Sequence, residues 1–229
     1  MRLDFAAAIQ RIETCADRVI GTSFEHWPED LADHALARPL ASLWITPRDL
    51  EAVLSHNPLY RRFRGWSVER DISHLPRIGT ETIDGDRSLF LKLGPCSWHE
   101  RWGLGVGSWG ALAAHGFGTA LRNVTDRMAV ILHAFVTRGE GTYLHLFPFI
   151  DLSTAREYRV LVRNDVVRLE HVKHQEQPAD AAGRPESDSR IVETARWLVS
   201  TYRLRNCLLD LASTGREQEI RIIEINPVV

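Results

Sequence analysis

Cys207-Leu-Leu-Asp-Leu-Ala212 and Ile222-Ile-Glu-Ile-Asn-Pro227 are two short apolar runs, each interrupted by an acid, in a chain of 229 residues. Apolar, β-forming stretches of this length read as strands, and residues 213–218 between them are short enough to turn one onto the other. Side chains on a strand alternate faces with a period of two, so Glu224 and Asn226 point the same way. Asp210 lies on the neighbouring strand, and three oxygen-bearing side chains therefore converge. An acid alone in an apolar strand is ordinarily an edge or turn residue. Two carboxylates on one face, however, repel unless a cation lies between them. Two carboxylates and an amide oxygen form a donor set that suits magnesium, an ion that commonly shares its ligands with phosphates.

Working outward from this hairpin, residues 158–162 and 166–172 predict a second hairpin around Asn164-Asp165, a turn-forming pair. Residues 175–189 are polar and read as an exposed loop; residues 191–202 read as a helix. With residues 143–150 as a further strand, the order β, ββ, α, ββ predicts an α+β lobe: an antiparallel sheet with a helix on one face. Glu157-Tyr158-Arg159 opens one of these strands and sets Arg159 on the face of Glu157, where a guanidinium can clamp a phosphate. Tyr143-Leu-His-Leu-Phe-Pro-Phe-Ile-Asp151 joins this lobe to the preceding one. By itself this run is ordinary strand. An apolar hinge ending in an acid can also hold a purine through backbone amides and a ribose through Asp151.

Residues 1–75 read as mainly helical, packed on the first lobe. Residues 5–19 carry apolar positions at helical spacing, and Thr46-Pro47 is a helix start. Residues 88–93 read as a strand stopped by Gly94-Pro95. Gly103, Gly105, Gly107, Gly110, Gly116 and Gly118 crowd residues 103–118, as in a mobile loop or a backbone that approaches something closely. Thr125 caps an amphipathic helix over residues 126–136. The expected division is thus 1–75, a first lobe over 76–142, and a second lobe over 143–229.

Composition narrows the class. The formal charge is −2, which gives no reason to expect nucleic acid or an anionic membrane as partner. Three scattered cysteines form no CxxC pair and read as free thiols in a reducing compartment. Residues 1–9 lack a signal-peptide pattern and no long apolar run exists, so the expectation is a cytoplasmic chain. Lys92 and Lys173 are the only lysines among 28 basic residues. A lysine kept in so arginine-rich a chain marks a place for a compact ammonium, although each alone reads as a solvated charge.

Lys92-Leu93, the stretches 146–152 and 156–164, Leu208-Leu-Asp-Leu-Ala212 and Ile222-Ile-Glu-Ile-Asn-Pro227 together resemble the ATP-grasp superfamily. Within it they are most similar to the cell-division-cycle protein 123 (D123) family, over about residues 88–229. The resemblance implies an α+β ATP-grasp fold whose two lobes clasp ATP. It implies Lys92 as a phosphate ligand and a nucleotide hinge containing Phe147, Phe149, Ile150 and Asp151, with Phe147 where the family often has a basic residue. Arg159 matches the arginine near the transferred phosphate. Asp210, Glu224 and Asn226 match the magnesium ligands; the family commonly has Asp at the position of Glu224.

ATP-grasp proteins are mostly ligases, so the resemblance implies an ATP- and magnesium-dependent carboxylate–nucleophile ligase working through an acyl phosphate. Lys173 and His171 would then face a small-molecule or peptide acceptor. The alternative is a D123-like ATP-binding assembly factor, with the segment bearing Trp27, Trp44 and Trp66 as a surface for a protein partner. Kinase-like transfer to a hydroxyl is a third reading.

Overall fold

Side-chain caps written into the sequence start the helices. Asp4 accepts from the Ala7 amide at 3.1 Å and begins α1, Phe5–Thr14. Thr46 caps α4, Pro47–Leu54, and Asn57 caps α5, Pro58–Phe63, each with a proline in the first turn. Thr125 caps α6, Asp126–Arg138, and Gly139, at φ 66°, closes it in a left-handed conformation. Further helices among the described residues are α2, Ala16–Ile20, the short α3, Glu29–Ala32, and α7, Arg184–Tyr202. The strands are β1, Ala41–Ile45; β2, Leu89–Leu93; β3, Cys96–Ser97; β4, Thr142–Pro148; β5, Arg156–Arg163; β6, Val166–Lys173; β7, Cys207–Thr214; and β8, Glu219–Pro227. The computed structural model describes residues 4–75, 89–98, 117–118, 120–153, 155–164, 166–173, 184–214 and 219–228, without the side chains of 171–173 and 184–188.

The chain divides into two units. Unit 1 holds residues 1–25 and 39–149, and unit 2 holds residues 26–38 and 150–228. In unit 1 the sheet order is β1-β4-β2-β3, antiparallel throughout. Helix α6 is the hub, buried along most of its length and packed by α1, α2, α4 and α5. Leu91, Leu93, Leu144 and Leu146 supply the sheet side of this core. Inside it the Tyr60 hydroxyl bonds His133 Nδ1 at 2.9 Å, and His133 Nε2 reaches Glu13 at 3.2 Å. Burial, opposed by Glu13, pushes the imidazole of His133 below its usual range.

A polar row crosses the other face of this sheet. Ser42, His145 and Lys92 are direct cross-strand partners on β1, β4 and β2 and so share a face. Ser42 Oγ bonds His145 Nδ1 at 2.7 Å, and His145 Nε2 bonds Glu25 at 3.1 Å. Glu25 also accepts from the Thr142 hydroxyl at 2.5 Å and the Tyr143 amide at 3.3 Å. Burial opposes the charge of Glu25. The hydrogen bonds from His145, Thr142 and its own backbone outweigh it and hold the carboxyl below the usual range.

In unit 2 the sheet order is β6-β5-β7-β8, again antiparallel. Tyr158, Val160, Val162, Leu209, Leu211, Ile222 and Ile225 turn to one face and pack with Ile191, Ala195 and Leu198 of α7. Asn164, at φ 48°, turns the β5–β6 hairpin. Segment 26–38 lies along the β8 edge. The Leu36 amide bonds the Ile222 carbonyl at 2.7 Å, and the Ile222 amide bonds the His34 carbonyl at 2.8 Å, so an otherwise open edge is covered.

Five features differ from the sequence expectations. Helix α7 begins at Arg184, inside the stretch 175–189 read as an exposed loop. The helix expected over 5–19 breaks at Cys15, where the Thr14 hydroxyl bonds back to the Arg11 carbonyl and competes with the helix ladder. Strand β1 lies inside a segment read as helical; pairing with β4 overrides local propensity. Segment 26–38, expected on the first lobe, belongs to unit 2 through its pairing with Ile222. The division expected at 143 falls after Phe149, because β4 is an inner strand of the unit 1 sheet. The three cysteines are free; burial of Cys207 pushes its thiol up to about 12, so it packs rather than reacts.

Two outcomes are expected. A carboxyl held below its ordinary value stabilises the fold above the unfolded pKa, and that stability is lost as pH falls through the folded pKa. Glu25→Gln should therefore cost about 1–2 kcal/mol near neutral pH, with the gap to wild type closing below about pH 4.5 in urea titrations. Leu209→Ala, at a fully buried position in unit 2, should cost about 2–5 kcal/mol; a loss under about 1 kcal/mol would contradict this packing.

Candidate functional site

Strand register, more than any one residue, assembles the site. On the unit 2 sheet Arg159 of β5 lies directly opposite Asp210 of β7, and Asp210 lies directly opposite Glu224 of β8. The three form a row across three adjacent strands, on the face opposite the apolar set packed by α7. Asn226 lies two residues from Glu224 and partners Leu208 in the register.

Both flanks of the row carry register shifts. The β7–β8 pairing slips between Asp210 and Leu211, so that Asp210 faces Glu224 while Leu211 faces Ile222. Ile223 is the extra residue. Without it Ile222 and Ile225, three apart, could not both turn to the core while Glu224 and Asn226 turn to the other face. The β5–β6 pairing slips between Arg159 and Val160.

The side chains meet. Arg159 Nε donates to Asp210 Oδ1 at 2.7 Å and Arg159 Nη2 to Oδ2 at 2.6 Å, a bidentate fork. Asn226 Nδ2 donates to Glu224 Oε1 at 2.8 Å and to Asp210 Oδ2 at 3.2 Å. Asp210 and Asn226 are 8% and 5% exposed, whereas the Arg159 side chain is 38% exposed. Burial pushes the Asp210 carboxyl above its ordinary range, Arg159 pulls against this, and the neighbouring Glu224 carboxylate adds to it. The pair with Asp210 raises the pKa of Arg159 further.

One amide nitrogen, Asn226 Nδ2, thus bridges two carboxylates on neighbouring strands. Among the described residues no three His, Cys, Asp or Glu side chains gather as a metal cluster.

Lys92 is on β2, 7% exposed, in the cross-strand row with His145. Phe147, expected at the nucleotide hinge, is buried; its ring packs edge-on against Phe24 and His145 at 5.4 and 5.9 Å. Phe149 is 43% exposed. Ile150 is half-buried and Asp151 exposed. The Asp151 carboxylate accepts from the amide and hydroxyl of Ser153 at 2.8 and 2.9 Å, a local turn. Lys173 sits opposite Glu157 in the β5–β6 register, but its side chain and that of His171 lie outside the described set. Of the Gly-rich stretch 103–118, only residues 117–118 are described. No described helix is long and apolar enough to cross a membrane.

Sequence reasoning missed the direct opposition of Arg159 and Asp210. It is a fact of register between strands separated by a loop and a helix. The basic residue in one strand and the acid in another were the only signals for it.

No protein-family model and no curated protein matches the chain. Solved structures do. Cdc123 from Schizosaccharomyces pombe aligns over 92% of this chain and 85% of its own, at 15% identity and a TM-score of 0.54. A C-terminally truncated form of the same protein covers 93% and 85%, at 16% identity and a TM-score of 0.47. D-alanine–D-alanine ligase from Helicobacter pylori covers 88% and 51%, at 10% identity and a TM-score of 0.40. The mixed helical and antiparallel architecture of both units is a fold shared with Cdc123.

Proposed function

We propose that this chain binds ATP with magnesium and uses it as an ATP-grasp ligase does, to activate a carboxylate for attack by an amine or other nucleophile. The observation that carries the reading is the row Arg159–Asp210–Glu224 with Asn226 beside it, on the sheet face that the helix leaves free. Asp210, Glu224 and Asn226 would hold the magnesium, which when bound neutralises phosphate oxygens. Arg159 presents a fork suited to a phosphoryl group. Lys92 is a further phosphate ligand in this reading, with backbone around Phe149 and Ile150 receiving the base and Asp151 the ribose. Phe147 contributes its backbone only, since its ring is packed away. The acceptor is a small molecule or peptide approached by Lys173.

The likeness to Cdc123 favours a second reading, in which ATP·magnesium is bound without ligation and the chain serves as an assembly factor for a protein partner. Both readings use the same ligands and differ in turnover. Incubation with ATP, magnesium and pooled carboxylates and amines separates them. Substrate-stimulated release of ADP and phosphate is expected for a ligase, ADP without free phosphate for a kinase, and tight binding without turnover for an assembly factor. Under either reading Asp210→Asn should weaken magnesium-dependent ATP binding at least about tenfold by calorimetry. Unchanged affinity in the folded variant would remove Asp210 from the site.

A further inference from the structure

Both carboxylates assigned to the cation are engaged by N–H donors. Both oxygens of Asp210 are taken by Arg159 at 2.7 and 2.6 Å. Asp210 Oδ2 and Glu224 Oε1 both accept from Asn226 Nδ2 at 3.2 and 2.8 Å. The Asn226 amide thus presents its nitrogen where a cation needs its oxygen. The guanidinium also lowers the local negative charge that would attract a divalent ion, and does so beside a buried acid, where screening by water is weak.

We propose that Arg159 is a gate on the cation site: its fork on Asp210 stands in for the metal, and the phosphates of the nucleotide draw it away, so that cation and nucleotide load together. The gate rests on the ATP·magnesium reading above and adds an order to it. Three features of the chain support it. Arg159 is the more exposed partner of the pair, so it can leave while Asp210 stays. The register places the two side chains directly opposite, so the fork forms without reorganising the backbone. Arginine, unlike lysine, covers both carboxylate oxygens at once and also binds phosphate bidentately, so one group serves both states. A ligand shifts such an equilibrium only through its different affinity for the two arrangements, and the coupling is reciprocal. Phosphate pulls Arg159 from Asp210, and a cation on Asp210 releases Arg159 to phosphate.

Manganese, followed by electron paramagnetic resonance, is the probe, with and without β,γ-imido-ATP. The wild-type chain should bind manganese weakly alone and at least about tenfold more tightly with the analogue. Arg159→Gln, with folding verified by circular dichroism and thermal melting, should bind manganese alone at least about tenfold more tightly than wild type and gain little from the analogue. Arg159→Lys, which keeps one charge and covers one oxygen, should fall between. A purely structural ion pair would lower the melting temperature of both variants and leave manganese affinity where it was. Unchanged manganese affinity in the folded variants, or equal wild-type affinity with and without analogue, overturns the gate while leaving the cation site standing. Absence of manganese binding under all conditions overturns the gate and the cation reading together.

Discussion

The buried carboxylate of Asp210 is the constraint around which unit 2 is arranged. Burying an acid costs several kcal/mol unless it is compensated. The compensation comes from both neighbouring strands, with Arg159 on β5 and Asn226 on β8. A one-residue slip in either pairing would turn these partners to the opposite face and leave the acid uncompensated. The shift at Ile223 reconciles that demand with the apolar one, since it lets Ile222 and Ile225 both reach the core.

Each unit repeats one plan. A four-stranded antiparallel sheet has one face sealed by helices and carries a polar row across the other. In unit 1 that row is Ser42, His145 and Lys92, with Glu25 buried against His145. In unit 2 it is Arg159, Asp210 and Glu224. Directly opposed residues on adjacent strands share a face and lie close together, so polar side chains from distant points in the chain can be held in line on a rigid support. The helix-packed faces contribute apolar burial; the opposite faces carry the polar rows.

Local chemistry was legible where it is local. Thr46, Thr125 and their following residues announced helix starts, and Asn164 announced a turn. Period-two alternation correctly placed Glu224 and Asn226 on one face, and the short connection brought Asp210 beside them. Strand β1 and the docking of segment 26–38 on β8 were not legible. Both depend on partners distant in sequence, and neither Ala41–Ile45 nor the His34–Leu36 stretch has a periodicity that names its partner. Phe147 shows the same limit at the level of one residue. Its ring packs against Phe24 and His145, neighbours that no local pattern names.

By itself the sequence determined which segments are strands and helices and which acids and amide gather at the C-terminal hairpin, because capping, turn chemistry and alternation act over a few residues. Only the tertiary structure decided that Arg159 faces Asp210 and closes both its oxygens, and that the boundary between units falls after β4. Both are consequences of strand register over long separations, which is set by the sum of core burial across a whole sheet. No local pattern carries that sum.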